Sequence, residues 1–158
     1  MRTINYKDLV SFGSNKEVRA FLKGVSVGNK YPIFIGEGSS REVWRISKCK
    51  VIKIAINDRG LAQNKVEYKI SKKDTNRLVA KVRKAHPKFS WLISDYAVNI
   101  NEACRRYFVF TNQDKLKSLG LLIEELCDYG QVGKIGNRIV IKDYGFTDYI
   151  YRKYYYDQ

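Results

Sequence analysis

Two glycines, Gly36 and Gly38, precede Ser39, Ser40 and Arg41 between two apolar runs, Pro32-Ile33-Phe34-Ile35 and Val43-Trp44-Arg45-Ile46. A loop without side chains lets backbone N–H groups come close to an anion such as a phosphate. The same glycines also suit a tight hairpin with no ligand, and Arg41 either adds a cation to the loop or points outward. Lys53 lies in Val51-Ile52-Lys53-Ile54-Ala55, a strand apolar on both faces. Burying its ammonium there is costly unless an anion pairs with it, and an edge strand with a solvated lysine is the alternative. Glu67 supplies such an anion from the helical stretch that follows, with Gln63 one turn earlier facing the same way. It could equally be an ordinary surface carboxylate. Near the end, Ile139-Val140-Ile141-Lys142 runs into Asp143-Tyr144-Gly145. A carboxylate at the end of an apolar strand, followed by a flexible residue, suits a metal ligand.

These residues need a frame to position them. An amphipathic preface comes first, with Ser14 or Asn15 as N-cap, Val18, Phe21 and Leu22 facing the core and Gly24 as the stop. Three short strands over 32–35, 43–46 and 51–55 flank the glycine loop. From 57 to 71 the pattern turns helical, with Leu61, Ala62, Val66 and Ile70 on one side. Residues 78–83 and 89–97 return to strand composition, and 99–110 and 113–126 read as two helices, the second with a stripe of Leu116, Leu119, Leu122, Ile123 and Leu126 for the core. A β-hairpin over 134–141 turns at Gly136-Asn137, ahead of a tyrosine-rich tail.

Composition narrows the classes. The 158 residues suffice for one sizeable core, and 44% hydrophobic with 29% charged residues excludes a disordered or fibrous chain. No membrane span or signal peptide is read, so the expected location is the cytoplasm. Cys49, Cys104 and Cys127 are far apart and form no Cys-x-x-Cys, which predicts reduced, structural thiols. His86, in a Lys-Ala-His-Pro-Lys loop, is the single histidine and poorly placed for a zinc site or a histidine base. The net charge of +14 suits nucleic acid, an acidic protein or a phosphorylated ligand, or is simply a soluble surface, because the basic residues are spread along the chain.

Taken in order, Gly36-Glu37-Gly38-Ser39-Ser40-Arg41-Glu42-Val43, Val51-Ile52-Lys53-Ile54-Ala55, Gln63-Asn64-Lys65-Val66-Glu67 and Asp143-Tyr144-Gly145 resemble the protein-kinase-like superfamily, and short bacteriophage members of it in particular. The resemblance covers about residues 33 to 148. It implies that Gly36, Gly38, Ser39, Ser40 and Val43 lie over the phosphates of ATP, that Lys53 contacts the α- and β-phosphates and that Glu67 orients Lys53. Trp91 to Ala97 resembles the strand into the hinge, with Ser94 as gatekeeper and Asp95 and Ala97 receiving adenine. Asp143 would hold magnesium, with Tyr144 in the aromatic slot. The fold implied is α+β and kinase-like. It is one domain over 1–158, made of the preface (1–30), an antiparallel-sheet lobe with one helix (31–97) and a reduced helical lobe (98–158).

The chain departs from the pattern in three places. Arg41 stands where the third glycine belongs. The His-Arg-Asp-x-x-x-x-Asn string is missing; Asp128 is the substitute base, and the asparagine position falls on Gly133 or Lys134, neither a magnesium ligand. Too few residues follow Ala97 for an activation segment, so a protein substrate has little platform, and the tail from Phe146 to Tyr156 either stacks on bases or packs as a helix. Three functions stay open. They are an ATP-dependent phosphotransferase acting on a host protein or small molecule, a pseudokinase that engages and inhibits a host factor, and a nucleic-acid binder.

Overall fold

The computed structural model of the chain describes residues 4–156. Its architecture is α+β, the class expected. Two helices come first, α1 (Tyr6–Val10) and α2 (Asn15–Ser26), the second capped by the Ser14 side chain, which accepts from the Glu17 amide. Val18 and Leu22 are buried as expected. Gly24 does not end α2. The helix runs on to Ser26, and the left-handed turn falls at Gly28, with φ 74°.

A five-stranded antiparallel sheet follows, built from β1 (Ile33–Glu37), β2 (Arg41–Arg45), β3 (Lys50–Ala55), β4 (Val82–Ala85) and β5 (Trp91–Asp95) in the order β1-β2-β3-β5-β4. The central β3 pairs Val43 with Lys53 on one side and Lys53 with Leu92 on the other. Both of its faces are covered, which explains its unbroken apolar sequence. Ile52 and Ile54 pack with Trp44, Trp91 and Ile93 against Leu9, Val18 and Leu22 of α1 and α2. The opposite face meets α3 (Asp58–Lys73), whose N-cap Asn57 accepts from the Gly60 amide.

The buried side of α3 differs from the apolar stripe expected. Gly60, Gln63, Asn64, Glu67 and Ile70 are buried, whereas Leu61, Ala62 and Val66 are half-buried. Of the strand expected over 78–83, only the end is in the sheet. Leu78 and Ala80 instead bond Ile141, tying the sheet to the second half of the chain.

That second half holds β6 (Val98–Asn99), α4 (Glu102–Thr111), α5 (Gln113–Ser118), α6 (Ile123–Leu126), β7 (Val132–Ile135), β8 (Arg138–Ile141) and α7 (Asp148–Tyr154). Strands β6, β7 and β8 form a small antiparallel sheet, and the hairpin turns at Gly136 as read. The helix expected from Asn99 begins at Glu102, because Val98 and Asn99 pair with β7. The single helix expected over 113–126 is broken, because Gly120 takes φ 86° and separates α5 from α6. Leu116 and Leu126 of the expected stripe reach the core with Val109, Val132, Ile141 and Tyr144, Leu119 and Ile123 are half-buried against it, and Leu121 rather than Leu122 is buried.

The cysteines are free. Cys49 and Cys104 are exposed and Cys127 is half-buried, so two of the three play no part in the core.

Candidate functional site

The loop that joins β1 to β2 is pinned from below rather than left free. The Gly38 amide donates to the Arg41 carbonyl at 2.9 Å, and the Asn57 side chain donates to the Ser39 carbonyl at 2.9 Å. Ser40 donates its hydroxyl to Gln63 Oε1 at 2.6 Å, so the polar face of α3 sets the height of the loop. Gly60 permits this approach, since a Cβ there would lie 2.1 Å from the Ser40 carbonyl oxygen.

Lys53 is buried and paired. Its ammonium donates to both oxygens of Glu67 at 2.9 Å and to the Lys142 carbonyl at 2.8 Å. Glu67 is fully buried and also accepts from the Tyr144 and Gly145 amides at 3.2 and 3.1 Å. The buried ion pair read from the sequence is therefore present, and Glu67 is not a surface carboxylate.

Arg41 points inward. Its guanidinium is 6% exposed, 2.9 Å from Glu67 and 2.5 Å from Asp143, and donates to Asn64 Oδ1 at 3.2 Å. Burial works against its charge, but Glu67 and Asp143 outweigh that and raise its pKa. Asp143 has a side chain 45% exposed. Burial alone would raise its carboxyl; Arg41 and Lys53 overcome that and hold it well below the usual carboxylate range. Sequence reasoning left the direction of Arg41 open. The available signal was the helix face of Gln63, Asn64 and Glu67, polar enough to call for a buried cation.

These groups border one cleft of about 700 Å³. Gly36, Gly38, Ser39, Ser40, Arg41 and Val43 line one side, with Lys53 and Gln63 behind them. Asp95 and Ala97 line it at the connection between the two halves, and Lys142 and Asp143 face them from the other half. Glu67 sits behind Lys53 and is not part of the lining. Asp128 is exposed on the turn after α6 and is also absent from the lining, where Glu125, Tyr129 and Gln131 stand instead. Those three residues, with Lys142, Phe146 and Tyr155, belong to the cleft and were not picked out from the sequence.

At the connection, the Asp95 carboxylate is committed to Lys50 at 2.5 Å and Arg83 at 2.7 Å. Burial would raise its pKa, but those two cations lower it. Ser94 is buried with its hydroxyl unpartnered. The tail forms α7, beside which Phe146 meets Tyr155 at 5.0 Å between ring centroids and Arg59 of α3 lies over Tyr155, while Tyr149, Tyr151 and Tyr156 stay exposed.

What the cleft can hold follows from its donors. A Cβ at Gly36 would meet nothing within 4 Å, and one at Gly38 only the Arg41 carbonyl at 4.0 Å. Packing does not demand glycine at either position, so the bare loop leaves room for a bulky anion. A divalent metal fits less well. Asp143, the expected ligand, already shares its carboxylate with Arg41.

No family model matches the chain, and no curated protein matches it. Among solved structures, SAICAR synthase from Saccharomyces cerevisiae, in complex with SAICAR, aligns at 11% identity and a TM-score of 0.33. The alignment covers 54% of this chain and 44% of that one, and at this level it fixes neither fold family nor function.

Proposed function

We propose that the chain is a kinase-like protein that binds ATP in the cleft between its sheet and its second half, and that it is built for binding more than for phosphate transfer. The observation that carries the reading is the convergence of a loop with two bare glycines, Gly36 and Gly38, with a lysine held by a buried glutamate. Lys53 and the loop amides would meet the phosphates, and the backbone of Asp95 to Ala97 would receive the adenine. The order of strands and the packing of α3 on β3 support a kinase-like amino-terminal lobe.

Two observations favour binding without transfer. Asp128, the substitute base, lies on the surface outside the cleft, and Asp143 is neutralised by Arg41. The reading then makes a partner protein the point of action, a host factor if the chain is phage-borne. Nucleic acid remains the alternative that the charge of +14 favours, and its binding would weaken steeply with salt.

Thermal melting with and without ATP tests the reading. A ligand at 100 times its Kd stabilises by about 2.7 kcal/mol, which at this chain length is roughly 5 to 10 °C. The wild type should show such a shift, and Lys53→Met should melt lower and show none. No shift at millimolar ATP, or an equal shift in the variant, contradicts the reading.

A further inference from the structure

Charge around the cleft is arranged in a way that neither the glycine loop nor the lysine requires. Two cationic side chains, Arg41 and Lys53, stand at its phosphate end with two carboxylates, Glu67 and Asp143. These four charges already balance one another before any ligand or metal enters. Arg41 is the centre of this arrangement, since one Nη2 serves both Glu67 and Asp143.

A magnesium ion binds oxygen at about 2.0–2.1 Å in a near-octahedral shell and usually draws on one or two carboxylates. Asp143 would have to share its carboxylate between that ion and a guanidinium 2.5 Å away. Glu67 offers no second oxygen, because both of its oxygens are engaged with Lys53 in the buried interior. Placing a divalent cation beside Arg41 and Lys53 is opposed by repulsion in a partly desolvated site. A planar guanidinium, by contrast, is always charged and can turn its remaining N–H groups to phosphate oxygens.

We propose that Arg41 is a built-in counter-ion that stands in for a divalent metal, so that this cleft takes a nucleoside triphosphate without metal. The proposal rests on the nucleotide-binding reading above and deepens it. Replacement of the third loop glycine by Arg41 is then a change of chemistry: the loop brings its own cation. Lys142, held by Asn99 at 2.5 Å, lines the opposite wall near the connection.

Calorimetric titration of the full chain with ATP, once in EDTA and once with magnesium chloride, separates the possibilities. The expected Kd values agree within about threefold. Arg41→Gln should weaken binding in EDTA by about tenfold or more and regain part of it with magnesium. Asp143→Asn, which keeps an acceptor for Arg41 and removes a negative charge facing the triphosphate, should tighten binding in EDTA. Wild-type binding at least tenfold weaker in EDTA, or weakened by Asp143→Asn, overturns the proposal even if Arg41→Gln does not fold. Heat absent in both buffers overturns the nucleotide reading itself and this one with it.

Discussion

Glu67 organises the site at the scale of single residues. It accepts from Lys53, from Arg41 and from two backbone amides, so every positive group at the base of the cleft is referred to one buried carboxylate. Such pairs stabilise when complete and are destabilising by several kcal/mol when one partner is removed. Asp143 and Asp95 are the second tier, each held ionised by cations beside it. Both folded-state pKa values lie below those of the unfolded chain. Their stabilisation is therefore fully present above the unfolded value of about 3.9 and is lost as pH falls below it toward the folded values. Melting temperature should drop steeply between about pH 4 and pH 2, and Asp143→Asn should flatten the lower part of that slope. An equal slope in the variant would show that Asp143 is not held by Arg41.

The helix α3 shows at the scale of elements where sequence reading succeeds and where it stops. Local pattern located the strands around the glycine loop, the hairpin at Gly136-Asn137 and the existence of α3, because each is encoded by neighbours a few residues apart. The buried face of α3 was legible only in part, through Gln63 and Glu67 read as facing Lys53. Leu61, Ala62 and Val66 carry the apolar period, yet Gln63, Asn64 and Glu67 are buried because Arg41 and Lys53 satisfy them from another element. Arg41 itself reaches a carboxylate 102 positions away, a pairing that no local window contains. The break at Gly120 and the short β6 escaped for a related reason, since apolar spacing alone does not separate a helix from a helix interrupted by a left-handed glycine. Gly60 gives a direct check on how α3 positions the loop. A Cβ there would meet the Ser40 carbonyl and the Ala55 backbone, neither of which can rotate away. Gly60→Ala should cost about 3 kcal/mol, the upper end of the usual overpacking range, in urea unfolding. A loss below 1 kcal/mol would mean that the loop is not seated on α3 as described.

The two halves of the molecule are joined at the site as well as near it. Lys53 of the sheet bonds the Lys142 carbonyl, Arg41 bonds Asp143, and Ile141 bonds Leu78 and Ala80. A ligand in the cleft would therefore touch both halves and stabilise the whole, which is why binding should appear as a change in global melting. The preface helices are part of the same design, since they cover the back of the sheet and let β3 carry Lys53 between two buried faces. Among the described residues no helix is long and apolar enough to cross a membrane. The candidate site was legible as a set of types in order, with Gly36, Gly38, Lys53, Glu67 and Asp143 all brought to one place. The inward direction of Arg41, the place of Lys142 in the lining and the absence of Asp128 from it depend on how the halves meet and were not. Amide hydrogen exchange with and without ATP tests the central claim most directly. Slowed exchange at residues 36–41 and 95–99, with smaller changes elsewhere, is the expected result. Unchanged exchange at both segments under saturating ATP would contradict it.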